Sequence, residues 1–253
     1  MTDITAIPAL RDNYIWALHN SRYAAVVDPG EAAPVLDFLD THGLQLNAIL
    51  CTHRHADHIG GITKLREVYS VPVYGRQHPG NPYVSHDLHE GSQLKFDALG
   101  INFDILEIPG HLNDHIAYYA PDILFCGDVL FGAGCGRNFE GTLAQLHLSL
   151  QRLAQLPDTT RVYSAHEYTT ANLRFALACE PHNMELLRRI EQAEQQLMAN
   201  LPTLPSTIAL EKATNPFLRC NQPELIRTLQ QRGLTDAGEL SVFIALREWR
   251  NHF

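Results

Sequence analysis

Short runs of alternating apolar and polar positions fill the first two-thirds of the chain, and helical spacing takes over in the last third. Residues 4–10, 14–18 and 23–27 are brief apolar runs separated by turn residues, which predicts three strands. Asp28-Pro29-Gly30 is a turn signal. Across residues 31–40, Val35, Leu36 and Leu39 share one face and Gly43 lies beyond the end, as in a helix. Residues 47–51 predict a buried strand. Residues 59–69, with Ile62, Leu65 and Val68 in helical register, predict a helix, and residues 71–74 a short strand. Residues 75–91 are rich in Pro, His, Gly and Asn and read as surface loop. Strand patterns return at residues 101–108, 116–119, 123–126 and 161–164, with a helix at 142–156. Residues 172–178, 184–200, 223–231 and 240–249 then read as helices. Two α/β halves of similar rhythm imply two sheets with outer helices, an α/β chain of four αββα layers, followed by a helical C-terminal domain. The change of character near residues 166–170 divides the chain into domains 1–166 and 167–253.

Composition narrows the function. A chain of 253 residues, 45% hydrophobic and 19% charged, is ordinary for a globular protein with a sizeable core. A formal charge of −9 argues against a nucleic-acid partner, so an anionic substrate would need a local basic patch. No apolar run approaches the roughly 20 residues that cross a bilayer. The N-terminus lacks the basic start and apolar stretch of a secretory leader. Cys51, Cys126, Cys135, Cys179 and Cys220 are odd in number, scattered and without a C-x-x-C pair. A cytoplasmic monomer with reduced thiols, bound to no membrane, is expected. The 14 histidines are the anomaly.

Three of them fall within Thr52-His53-Arg54-His55-Ala56-Asp57-His58, directly after a predicted buried strand. In extended backbone His53 and His55 point to the same side, while Asp57 and His58 follow at a bend and can face a second ion. Open α/β sheets place their sites at such strand ends. His111 after Pro109-Gly110, Asp128 after Cys126-Gly127 and His166 after Ser164-Ala165 repeat the arrangement of short apolar run, small residue and donor. Taken singly, Asp128 reads equally well as a helix cap and His166 as a hydrogen-bonded buffer; the shared placement makes them candidates. Five imidazoles, two carboxylates and no thiolate suit zinc, and also iron or manganese.

His53-x-His55-x-Asp57-His58 with His111, Asp128 and His166 resembles the metallo-β-lactamase superfamily of binuclear hydrolases. Gly134-Cys135-Gly136-Arg137-Asn138-Phe139-Glu140-Gly141, His166-Glu167-Tyr168-Thr169, Asn215-Pro216-Phe217-Leu218-Arg219 and Leu246-Arg247-Glu248-Trp249-Arg250 extend the similarity over essentially the whole chain. These stretches resemble the glyoxalase II (hydroxyacylglutathione hydrolase) family. The resemblance implies a metallo-β-lactamase fold and two divalent metal ions. His53, His55 and His111 would hold one ion, Asp57, His58 and His166 the other, with Asp128 bridging. It further implies that a hydroxide shared by the ions, oriented by Asp57, attacks the thioester of S-(2-hydroxyacyl)glutathione in methylglyoxal detoxification. Arg137, Phe139, Tyr168, Arg247 and Arg250 would contact the glutathione moiety. Without the resemblance, Arg247 and Arg250 read as a solvated basic helix end. Phe139 stands where some members have Tyr, and His111-Leu112-Asn113-Asp114-His115 replaces the family's His-Thr-x-Gly-His, adding a carboxylate. His115 falls outside the ligand set.

Other enzymes of this fold, a one-iron persulfide dioxygenase, a lactonase or a β-lactamase, are the alternative. A dioxygenase would not need Asp57 and His58 together, and a periplasmic β-lactamase would want a leader. A non-enzymatic, metal-stabilised binding module is a third class; it would saturate its metals with protein ligands, whereas a catalytic site keeps a position open for water.

Overall fold

The structure is a computed structural model that describes residues 2–253. The chain divides into two compact units, one running through Glu107 and including Asp114–Gly127, the other formed by Ile108–Asn113 and Asp128–Phe253.

The first unit is built on a sheet of six strands in chain order: β1 (Asp3–Ala9), β2 (Asn13–His19), β3 (Tyr23–Val27), β4 (Gln45–Leu50), β5 (Val73–Gly75) and β6 (His86–Asp87). The first three pair antiparallel; β3 to β6 run parallel. Parallel neighbours need crossovers, supplied by α1 (Ala33–His42) between β3 and β4, and by α2 (Ala56–Ile59) and α3 (Ile62–Val68) between β4 and β5. α1 begins with Pro34 in its first turn and ends at Gly43 with φ 62°. Val35 and Leu39 of α1 and Ile62 and Leu65 of α3 pack in one core with Ile15, Val26 and Ile49 of the sheet. Full burial of each such side chain is worth roughly 1.5–3 kcal/mol. β7 (Gln93–Phe96), β8 (Ile101–Glu107), β9 (Ile116–Ala120) and β10 (Ile123–Gly127) follow as an antiparallel meander.

The second unit carries the hairpin β11 (Leu130–Phe131) and β12 (Gly134–Cys135), and the antiparallel pair β13 (Arg161–Ser164) and β14 (Ser206–Thr207). Its helices are α4 (Leu143–Ala154), α5 (Thr169–Cys179), α6 (Met184–Met198), α7 (Ile208–Thr214), α8 (Pro223–Gln230) and α9 (Glu239–Asn251), with a 3-10 turn at Pro216–Leu218. A capping box starts α4: Gln145 N donates to Thr142 Oγ1 at 3.1 Å and Thr142 N donates to Gln145 Oε1 at 2.8 Å. Aromatic packing docks α9. Phe243 meets Phe217 at 5.7 Å between centroids, Phe217 meets Phe175 at 5.9 Å, and Trp249 meets Phe175 at 5.1 Å. This fixes the C-terminal helix whose last turns bear Arg247 and Arg250.

The helix expected over residues 59–69 is α3, preceded by the short α2, and the two are separated where Gly61 N donates to Pro29 O at 2.9 Å; a Cβ on Gly61 would come within 2.7 Å of the backbone of Pro29 to Ala32. The residue 75–91 loop contains the two-residue strand β6, and β7, the β11–β12 hairpin, α7 and β14 have no counterpart in the sequence reading.

Candidate functional site

Within the first unit, the parallel pairing of β3 and β4 sets their C-terminal ends side by side. Asp28, just past β3, thereby meets the Thr52–His58 loop just past β4. Its buried carboxylate accepts from Thr52 N and Thr52 Oγ1, both at 2.7 Å, and from His58 Nδ1 at 3.1 Å. That pairing places the His58 proton on Nδ1 and turns Nε2 outward as a lone-pair donor, 3.4 Å from Asp57 Oδ2. His53 Nε2 lies 3.1 Å from His55 Nδ1. His55, in extended conformation, is the N-cap of α2, and Asp57 occupies that helix's first turn. Asn13 Nδ2 donates to Asp57 Oδ2 at 3.2 Å and to Asp57 O at 3.3 Å. Asp28, His53 and His58 each offer a ligand atom within 4.8 Å of the others. His115 is buried and stacks on His53, 4.6 Å between centroids at 19°.

Two glycines permit this crowding. A Cβ on Gly30 would sit 1.8 Å from Asp57 O, and one on Gly127, whose φ is +48°, would sit 2.3 Å from Thr52 Oγ1. The additional carboxylate of the 111–115 loop, Asp114, forms an ion pair with Arg54, the residue between His53 and His55. Both side chains are 13% exposed, so the pair is screened less than a surface one. Asp114→Asn is expected to cost about 1 kcal/mol, or about 2–4 °C in Tm. In a thermal-melt cycle, the double Arg54→Met, Asp114→Asn variant should lose no more than the worse single one; additive losses would show that the two are not coupled.

Within the second unit, His111 follows Pro109-Gly110 and donates from Nδ1 to the Arg137 carbonyl at 2.8 Å, which leaves Nε2 as its lone-pair atom. The two oxygens of Asp128 face different imidazoles: Oδ2 lies 3.6 Å from His111 Nε2 and Oδ1 lies 3.4 Å from His166 Nε2. A Cβ on Gly136 would fall 1.9 Å from Asp128 O, so the chain just after the hairpin can approach only as glycine. His166 is stacked on Tyr168, 4.8 Å apart at 6°, and His111 meets the edge of Phe139 at 5.2 Å.

The donor chemistry in each unit fits divalent metal. The ligand atoms are imidazole nitrogens and carboxylate oxygens, and His58 and His111 have the far ring nitrogen tied to an oxygen acceptor, the usual device for orienting metal ligands. Cys51, next to the loop, is not a competing donor, because burial and then the charge of Asp28 push its thiol pKa far up.

Beside His111 and Asp128 the second unit holds a cavity of about 350 Å³, lined also by Arg137, Tyr168, Arg247 and Arg250. Burial, and then the positive charges of Arg247 and Arg137, lower the pKa of the Arg250 guanidinium. Three guanidinium groups thus crowd one cavity of a chain with net charge −9. Arg247 is 4% exposed, and its Nη1 donates to Cys135 O at 2.9 Å. Its buried Nε has no hydrogen-bond partner among the described residues. Phe139 lines the cavity yet is 63% exposed. Asp28, Asn13 and Asn172, which lines the cavity and accepts from Arg250 Nη2 at 3.4 Å, are not among the site residues that the sequence singles out. For Asp28 the only signal was a turn, and nothing in the pattern marked the other two.

A family model described as the metallo-β-lactamase superfamily matches residues 10–166, and one described as the hydroxyacylglutathione hydrolase C-terminus matches residues 167–253. A hydroxyacylglutathione hydrolase of Nitrosomonas eutropha is 50% identical over 256 aligned residues, covering 100% of each chain. The crystal structure of ETHE1 from Myxococcus xanthus aligns with TM-score 0.65 and 25% identity over 98% of each chain. A protein crystallised in a di-iron-bound form aligns with TM-score 0.61 and 27% identity, over 85% of this chain and 100% of that one. The fold is the metallo-β-lactamase fold with α/β sheets and a C-terminal helical region. No helix is long and apolar enough to cross a membrane among the described residues.

Proposed function

The chain belongs to the hydroxyacylglutathione hydrolase family of the metallo-β-lactamase superfamily, and from that premise we propose that it hydrolyses S-(2-hydroxyacyl)glutathione, such as S-lactoylglutathione, to glutathione and a 2-hydroxy acid. The observation that carries the substrate side is the convergence of Arg137, Arg247 and Arg250 on one cavity beside His111 and Asp128. Glutathione carries two carboxylates, and this cluster supplies the local positive charge that an acidic protein needs to meet them.

In the proposed assignment His53, His55, His111 and Asp128 would hold one divalent ion, and Asp57, His58, His166 and Asp128 would hold the other. Family membership and the arrangement of donors within each unit support it. Ions bound there would lower the pKa of water toward about 7 and would polarise the thioester carbonyl. Asp57, to which Asn13 Nδ2 donates at 3.2 Å, orients the attacking hydroxide. Asp28 and the Arg137 carbonyl keep His58 and His111 in the tautomers that present Nε2. Tyr168 and the three arginines anchor the glutathione moiety. The thiolate product is a good leaving group, so no strong general acid is required. Zinc as the metal, with iron or manganese as substitutes, a monomeric state, a cytoplasmic location and the division at residues 166/167 belong to the same proposal.

Purified protein, analysed for metal and offered S-lactoylglutathione, is expected to release free thiol with about two metals per chain. Protein that carries those metals and releases no thiol would refute the assignment.

A further inference from the structure

The hairpin in the cavity wall is held from behind by one buried carboxylate. The turn between β11 and β12 puts Ala133 at φ 54°, a left-handed conformation that an L-residue adopts only when its surroundings hold it there. Glu211 of α7, with no exposed surface, supplies that hold: Oε2 accepts from Ala133 N at 2.9 Å. The same oxygen accepts from Asn215 Nδ2 at 3.0 Å, and that amide nitrogen also donates to Gly134 O at 2.9 Å. On the side away from the hairpin, Glu211 Oε1 accepts from Arg189 Nη2 at 2.6 Å and from Ser206 Oγ. Arg189 Nη1 in turn donates to Thr214 Oγ1 at 2.6 Å. Asn172 Nδ2 donates to Gly132 O at 3.1 Å, so the turn is gripped at three successive residues. Beyond it the chain runs straight into the cavity wall, where Cys135 O accepts from Arg247 and Arg137 follows two residues later.

A buried carboxylate with four donors is directional and stiff, because each donor fixes a lone-pair direction and Arg189 supplies the compensating charge. We infer that Glu211 is a positioning residue for substrate: with Asn215 it holds the 130–135 hairpin in the one turn that sets Arg137 and Arg247 against the glutathione carboxylates. The inference rests on reading the cavity as the glutathione-thioester site. It differs from a purely structural role in what it does to kinetics. Loss of bulk stability reduces the amount of active enzyme, whereas a displaced hairpin weakens binding and raises KM.

Glu211→Gln keeps the shape, but in either orientation it aims an amide N–H at donors that need an acceptor. Among variants that stay folded by near-UV circular dichroism, KM for S-lactoylglutathione is expected to rise about tenfold while kcat stays within about threefold. Product inhibition by glutathione should weaken in parallel. Asn215→Ser, which cuts the bridge to Gly134 without removing the buried charge, should raise KM in the same direction and serves if Glu211→Gln does not fold. Leu39→Ala, in the core of the first unit, is the stability control: it should lower Tm and leave KM within about twofold. An unchanged KM in Glu211→Gln and Asn215→Ser, while Arg250→Ala raises it, would overturn the positioning role. So would an equal KM rise in Leu39→Ala. If Arg250→Ala also leaves KM unchanged, the reading of the cavity itself fails and this inference with it.

Discussion

Asp128→Ala is expected to lower kcat/KM by at least about a thousandfold, equivalent to about 4 kcal/mol of transition-state stabilisation, and to deplete bound metal. The reason is the placement of its two oxygens. One faces His111 Nε2 and the other His166 Nε2, so a single side chain serves donors that come from different strand ends. Removing it subtracts one ligand from each proposed ion at once and leaves two imidazoles with no negative charge between them. Asp128 is also nearly buried, 8% exposed, so water cannot substitute freely. Loss of an outer partner of a ligand typically costs 10–100-fold, and loss of a shared ligand should exceed that. Metal analysis and steady-state kinetics on the same preparation decide the matter. A variant that keeps two metals per chain and a tenth or more of the wild-type rate would show that Asp128 does not bridge.

How much of this was legible in sequence depends on whether a feature is local or comes from the fold. The strands ending at Leu50 and Ser164 and the helices at Met184–Met198 and Pro223–Gln230 carry their own periodicity, and they sit within a few residues of where the pattern put them. The seven metal-ligand candidates were legible locally, four packed in the loop after one apolar run and three each placed just after an apolar run and a small residue. The break between α2 and α3 was not, because Gly60 and Gly61 answer to the backbone near Pro29, more than 25 residues away in sequence. β7 and the β11–β12 hairpin were missed because four and two residues carry too little alternation to register. Arg247 reads in sequence as a charge offered to solvent or substrate. In the fold one of its nitrogens is already committed to the Cys135 carbonyl, a partner 112 residues away. Asp28 is the sharpest case. Asp-Pro-Gly announces a turn, and only the parallel pairing of β3 with β4 turns that aspartate toward the histidine loop.

Asp28 therefore supplies the second large effect, and two substitutions separate its two tasks. Asp28→Ala leaves the fully buried Thr52 N–H and hydroxyl and the His58 Nδ1–H without their acceptor. At about 1–3 kcal/mol for each buried group left unsatisfied, the expected destabilisation is about 3 kcal/mol, or roughly 6–12 °C in Tm. Asp28→Asn preserves volume and can still accept from one neighbour. Its amide N–H, however, must face either Thr52 N–H or His58 Nδ1–H. The second arrangement drives the His58 proton to Nε2, the atom proposed to meet metal, and the first costs a buried hydrogen bond. Asp28→Asn should therefore melt within about 4 °C of wild type yet bind metal, and turn over, some 10–100-fold less well. Thermal melts with metal titration distinguish this from a general loss of packing. If Asp28→Asn binds metal like wild type, the carboxylate serves only to hold Thr52, and the histidine loop orients itself without it.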